Sequence, residues 1–337
     1  MIYVSYEEAV STMTKGLERF MDHQTAERFA EVFAGNSLDG VYSHGMNRFP
    51  RYLDDMAKGL CNASVIEAQR VSGLGGLEVW DAHFGVGPLI AQQMAQRAID
   101  LAKTHGIACV ALRNNSHWLR AGRYGLMMAD AGMMGMCMTN TCMNLVAYGA
   151  KKPSTGNNPI TFAIPRKAGS LVMDMAVSQY AFGKLEIMAQ EGTMLDTPCG
   201  YDLDGNVTSD PKKITESKLM MPMALWKGSA LSIMIDLMTS MLSLGRTSLE
   251  IGKPSDGEAG MSQMFICMNP AAVVDMGQAE EQMEKTIAFL NGLEPMDGMN
   301  GVHAPGQNLE KTRAKNRERG IPVTEATWQK ILDAAKA

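Results

Sequence analysis

The chain has 337 residues, of which 46% are hydrophobic and 20% charged, and it carries a net charge of −5 at pH 7. At about 100–200 residues per domain this means two domains or one large one, of ordinary globular composition rather than disordered, collagenous or coiled-coil. The acidic balance argues against non-specific nucleic-acid binding, which needs a basic footprint.

The N-terminal run MIYVSYEEAV has no basic segment followed by an apolar one, so no signal peptide is expected. Ser5 with Glu8 forms a capping box ahead of a helix over residues 6–21. A second helix is predicted over 25–34, stopped by Gly35. Residues 36–60 then read as a polar stretch bearing His44. Pro88 opens a helix that runs to His105 with Gly106 as its stop. A strand over 107–112, a helix over 122–131 and strands over 134–139, 160–164 and 171–175 follow. Residues 193–218 read as a polar loop with turn signals. A long helix over 229–244 and a strand over 263–268 come next, and the C-terminus is helical over 280–290, 309–319 and 325–336. This alternation predicts an α/β or α+β core across about residues 75–270. The two helical ends are expected to pack together, so the division is 1–72 with 275–337 as a mainly helical domain and 73–274 as the sheet domain.

The apolar windows 125–150 and 230–245 are interrupted by Asp130 and Asp236, so neither is expected to span a membrane. The six cysteines form no Cys-x-x-Cys pair and read as reduced, mostly buried thiols. A cytoplasmic protein is expected. The thirty methionines are unusual. Methionine fills irregular core space, and the alternation Met134, Met136, Met138 suits one face of a buried strand better than a soft-metal site. No metal site is expected.

Several segments are candidates for chemistry. Gly85-Val86-Gly87-Pro88 glances at a dinucleotide fingerprint, but residues 103–108 supply no acidic partner, and Pro88 is better read as a helix start. Asp202-Leu203-Asp204-Gly205-Asn206 has its glycine misplaced for a calcium loop and reads as a turn. Ser43-His44-Gly45 with Arg48 offers a group that titrates near neutrality and a planar fork for a carboxylate. A capping or surface histidine is the plainer alternative. Arg113-Asn114-Asn115-Ser116-His117-Trp118 follows a strand, where ligands bind in such sheets. Trp226-Lys227-Gly228-Ser229 sits at the mouth of a helix and suits either an anion or a plain cap.

Taken in order, residues 40–51, 110–118, 172–175 and 225–229 resemble the type-2 malate/L-lactate dehydrogenase family over nearly the whole chain. The resemblance implies an NAD(P)-binding sheet domain that is not a classical Rossmann fold. It implies a reductase for a small-molecule α-keto acid, with NADH preferred and NADP possible. His44 would be the proton donor, Arg48 would hold the substrate carboxylate, and His117 would complete the catalytic set. Ser43, Trp118, Arg120 and Tyr148 would join them in touching substrate, and Trp118 with Arg120 points to the branch acting on diketogulonate, a larger polyhydroxylated acid. Cofactor contacts would fall on Ser170, Leu171, Val172, Met173, Asp174, Met175 and Ala176, on Trp226 and Lys227, and on Gly306, Gln307 and Asn308. A homodimer with the cofactor near its interface is implied, with no nucleic-acid or membrane partner. Asn157, Ala230 and Gln307-Asn308 depart from the family pattern in loops expected to approach the cofactor. A malate- or lactate-type 2-hydroxy-acid dehydrogenase and an inactive ligand-binding relative are the alternatives.

Overall fold

The computed structural model describes residues 1–253 and 257–336. Its centre is a seven-stranded mixed sheet. The strands run, edge to edge, Gln69–Leu74, Leu77–Asp81, Ile107–Ser116, Ala259–Met268, Met134–Thr139, Ile160–Ile164 and Leu171–Met175. Only Leu77–Asp81 and Ile107–Ser116 pair in parallel; the other neighbours are antiparallel. The parallel pair is joined by the helix Gly87–His105, as such a crossover requires.

Strand alternation sends successive side chains to opposite faces, and both faces here are covered. Cys137, Val110, Leu112 and Phe265 meet the helices Gly87–His105 and Ala121–Asp130 through Ile90, Met94 and Tyr124. Met136, Met138, Met264 and Ile266 face the helix Trp226–Ser243, with Met175, Met223, Leu231 and Ile235. Five of the thirty methionines, Met136, Met138, Met175, Met223 and Met264, pack between this helix and the sheet, where an unbranched thioether fills uneven space.

The chain ends meet. Ile2–Val4 pairs antiparallel with Ile321–Val323. Beside this ribbon the helices Tyr6–Leu17, His23–Leu38, Phe49–Ala57 and Glu325–Ala334 bury Phe29, Phe33, Phe49, Tyr52, Trp328 and Ile331. The helix Met276–Asn291 is tied instead to the strand end near Ile164, where Arg166 forks onto Glu284 at 2.5 and 3.0 Å. A small lobe contains Gly200–Tyr201, Val207–Thr208 and Leu219–Met220 with the helices Phe182–Glu191 and Pro211–Ser217, around Leu145, Leu185, Cys199 and Ile214.

Several expectations are corrected. The second helix runs through Gly35 to Leu38, and the Arg123 guanidinium packs over the glycine, 2.8 Å from where a Cβ would sit. Residues 49–57 and 182–191 are helical, and 69–81 form a hairpin. The polar loop over 193–218 contains the strands and helix of the small lobe. The long helix starts at Trp226, not Ser229, after Leu225 with φ of 55°. Gly87 donates to Ser116 Oγ at 2.8 Å and Tyr52 Oη at 3.2 Å, so the glycine-rich turn docks its helix onto the sheet. Asp202 accepts from the Asp204 and Asn206 backbones and closes a hairpin turn. No helix among the described residues is long and apolar enough to cross a membrane.

Candidate active site

Two short 3-10 turns, Tyr42–His44 and Met46–Arg48, carry the first histidine and the arginine. Their backbone is pinned to the end of the helix His23–Leu38 on both sides of Gly45. Asn36 Nδ2 donates to the His44 carbonyl at 2.9 Å, and the Met46 N–H donates to Ser37 Oγ at 2.8 Å. A Cβ at Gly45 would lie 2.0 Å from Ser37 Oγ, so only glycine permits this approach. His117 enters from the end of the strand Ile107–Ser116. Its Nδ1 accepts the Leu119 N–H at 3.0 Å, which leaves the proton of the neutral ring on Nε2.

The His44 and His117 rings stack, 5.8 Å apart and 11° from parallel. His44 Nδ1 lies 3.1 Å from Ser43 Oγ. Burial and the Arg48 cation hold His44 down at about 4, with Asp174 pulling it up and Arg120 pushing it down. Burial, then Arg48 and His44, hold His117 well below the usual imidazole range. Both rings are therefore neutral at pH 7. Arg48 pairs with Glu258, which also lies 3.5 Å from Arg51. Arg48 Nε is buried without a hydrogen-bond partner among the described residues.

The structure gathers Ser43, His44, Arg48 and His117 in one place, with Arg120 close enough to His44 to push its titration down, while Trp118 and Tyr148 are engaged in other surroundings. Trp118 is a correction: it is 2% exposed and packs against Tyr124 and Phe265 in the sheet core. Arg120 is buried and committed to Asp39 at 2.5 Å and Asp174 at 3.5 Å, so it offers no open fork. Tyr148 stands 60% exposed, its N–H donating to Ser229 Oγ at 3.1 Å near the start of the helix Trp226–Ser243.

The expected cofactor segments lie beside one another. Leu171–Met175 is an edge strand, and its Val172 N–H donates to the Pro305 carbonyl at 3.2 Å. Gly306, with φ of 78°, is pressed onto Val172; a Cβ would fall 2.7 Å from its nitrogen. Gln307 Oε1 accepts from the Ala304 backbone at 2.9 Å, and Asn308 opens the helix Leu309–Arg319. Ser170 Oγ donates to Asp130 Oδ1 at 3.0 Å. Beyond Met173, Met175 and Ala176, the Met223 N–H bonds to the Val177 carbonyl at 2.9 Å, and the chain then turns into exposed Trp226 and Lys227. Asp174 is used within the fold: it accepts from the Gly122 N–H at 2.8 Å and Thr161 Oγ1 at 2.9 Å, and so closes the start of the helix Ala121–Asp130. The unusual Asn157 accepts from Thr141 and Asn144, and its carbonyl receives the Val177 N–H. Ala230 is solvent-facing.

Glu258 and the Asp39–Arg313 pair, at 2.5 Å, were not anticipated. Neither falls in a motif, and each finds its arginine more than 200 residues away in sequence.

Residues 4–332 match the profile of the malate/L-lactate dehydrogenase family. The chain is 36% identical over 332 residues to 2,3-diketo-L-gulonate reductase of Escherichia coli O17:K52:H18 (strain UMN026), covering 97% of this chain and 98% of that one. It is equally similar, over 329 residues, to the protein of the same name from Shigella boydii serotype 4, with 97% and 98% covered. Among solved structures, delta1-piperideine-2-carboxylate reductase from Pseudomonas syringae superposes with a TM-score of 0.87 at 27% identity, covering 99% of this chain and 100% of that one. Malate dehydrogenase from Entamoeba histolytica shares the fold, with a TM-score of 0.92 at 23% identity and coverage of 99% and 97%. The chain belongs to the malate/L-lactate dehydrogenase family.

Proposed function

We propose that this chain reduces an α-keto acid with NADH, and that 2,3-diketo-L-gulonate, which would yield 3-keto-L-gulonate, is its best substrate. The observation that carries the reaction class is a pair of stacked, half-buried imidazoles beside a half-buried arginine whose Nε–H has no hydrogen-bond partner among the described residues. The acid itself is taken from the names of the curated relatives, since Trp118 is packed in the sheet core and Arg120 is already paired with Asp39.

Arg48 fixes the substrate carboxylate, and this aims the neighbouring carbonyl. As the carbonyl gains a hydride, negative charge grows on its oxygen; His44 holds the proton that moves there, and the product is the hydroxyl. His117, stacked on His44 with its proton on Nε2, is a second donor beside it. The bound carboxylate adds a further negative charge beside His44 and Arg48, so binding itself favours protonation of the ring.

The residues present suit a nicotinamide dinucleotide. Trp226 is an exposed ring for stacking, Lys227 is a cation, and their helix start lacks a side-chain cap. These two, with the edge 170–176 and Gly306, Gln307 and Asn308, would hold the cofactor, which when bound supplies the hydride.

The same helix directs Leu237, Met238 and Met241 outward, 51%, 42% and 78% exposed. This uncharged face continues from Trp226 and Lys227, and a second copy of the chain is the occupant we propose for it. A homodimer built there would place the partner beside each cofactor site. Leu237→Glu with Met241→Glu is expected to yield monomers by light scattering, with weakened NADH binding. A monomeric wild type would rule the interface out.

The direct test follows NADH consumption with 2,3-diketo-L-gulonate, oxaloacetate and pyruvate, repeated with NADPH. The first acid is expected to give the highest kcat/KM. A preference for oxaloacetate or pyruvate would make the chain a malate- or lactate-type enzyme, and failure to bind either nucleotide would leave an inactive relative.

A further inference from the structure

We propose that Glu258 occupies the substrate's own seat on Arg48, and that Arg51 receives this carboxylate when substrate arrives. The inference rests on the reading of Arg48 as the holder of the substrate carboxylate.

Arginine grips a carboxylate best through two parallel N–H groups. In this structure one of them, on Nη2, is given to Glu258, while Nε is buried without a hydrogen-bond partner among the described residues. A second carboxylate taking the whole fork must displace the first, because two like charges on one guanidinium repel. Displacement has a ready destination. Arg51 Nη2 already lies 3.5 Å from the other Glu258 oxygen, and its side chain is 45% exposed. The two arginines are three residues apart at the start of the helix Phe49–Ala57, which puts both heads on one side. A small swing of Glu258 thus exchanges a shared pair for a single pair with Arg51 and frees Arg48. Glu258 keeps Arg48 compensated in the empty site, where an unpaired buried cation would be costly. Both residues act through Arg48 and are positioning residues; neither touches the reacting atoms.

The test compares wild type, Glu258→Gln, Arg51→Gln and the double variant by initial-rate kinetics with 2,3-diketo-L-gulonate and pyruvate. Inhibition by oxamate, an α-keto acid isostere that cannot be reduced, gives a readout independent of turnover. Glu258→Gln removes the competitor, so KM and the oxamate inhibition constant are expected to fall about fivefold, the change lying in KM rather than kcat. Arg51→Gln removes the destination, and both constants should rise about fivefold. In the double variant that rise should vanish, because there is no carboxylate left to relocate. A gain in affinity cannot come from misfolding. If Glu258→Gln instead weakens oxamate, Glu258 merely orders Arg48 and the proposal is wrong. Arg48→Gln separates the two readings. If it leaves oxamate inhibition at the wild-type level, the assignment of Arg48 fails; if it abolishes inhibition while Glu258→Gln also weakens it, only the displacement idea fails.

Discussion

His44→Ala is expected to lower kcat for keto-acid reduction by about 10²–10⁴-fold while leaving NADH binding intact. His117 is a poor substitute, since its Nδ1 is occupied by the Leu119 N–H and burial, then Arg48, hold its titration well below the usual imidazole range. The pH profile of the wild type carries a second signature. With His44 held at about 4 in the free protein, the protonated ring is the minor form at neutrality. Reduction needs that form, so kcat/KM for the keto acid, which reports the free enzyme, should fall about tenfold per pH unit above roughly pH 5. Oxidation of the hydroxy acid needs the neutral ring and should be flat over the same range. A reduction profile that is flat from pH 5 to about 8 would remove His44 as the proton source. Binding should also take up a proton, which calorimetry of oxamate binding in buffers of different ionisation enthalpy detects.

Much of the sheet was readable from local pattern. The strands Met134–Thr139, Ile160–Ile164 and Leu171–Met175 lie where alternation and flanking turn residues put them, as does the helix Leu309–Arg319. What local pattern missed was set by tertiary contact. Gly35 looks like a helix stop, yet the helix continues through it to Leu38, where Asn36 and Ser37 hold the His44 turn and Leu38 is buried in the core. The strands of the small lobe are two residues each, too short for any period to register.

The site divides the same way. His44, Arg48 and His117 sit in compact, rigidly spaced motifs whose chemistry is plain. Trp118 misled because it adjoins His117 in sequence, but it is turned into the core ahead of Leu119, whose φ is 67°. Arg120 looked like a free cation because its partners, Asp39 and Asp174, come from distant segments. Three-dimensional pairing decides which arginine is available to a ligand: among the described residues Arg48 and Arg120 each keep a buried Nε without a hydrogen bond, but the Arg120 head lies between Asp39 and Asp174, whereas Arg48 stands beside both histidines.

Arg48→Gln is therefore expected to have the largest effect on substrate binding. Truncating one side of a buried, hydrogen-bonded charge pair costs about 2–5 kcal/mol, which predicts a rise in KM of at least about thirtyfold. Because the carboxylate is held in both ground state and transition state, most of the loss should appear in KM. Some should reach kcat, since a carbonyl no longer aimed by its neighbouring carboxylate meets the hydride less well. The electrostatic consequence runs the other way. Arg48 is the largest charge holding His44 down, and removing it lets the imidazole titrate higher. The falling limb of the reduction profile should then begin at higher pH than in wild type. Lower activity joined to an upward-shifted profile is a signature that simple damage to the fold would not produce. If Arg48→Gln lowers affinity but leaves the profile in place, the arginine holds substrate without tuning His44. If neither KM nor the profile moves, the carboxylate is bound elsewhere.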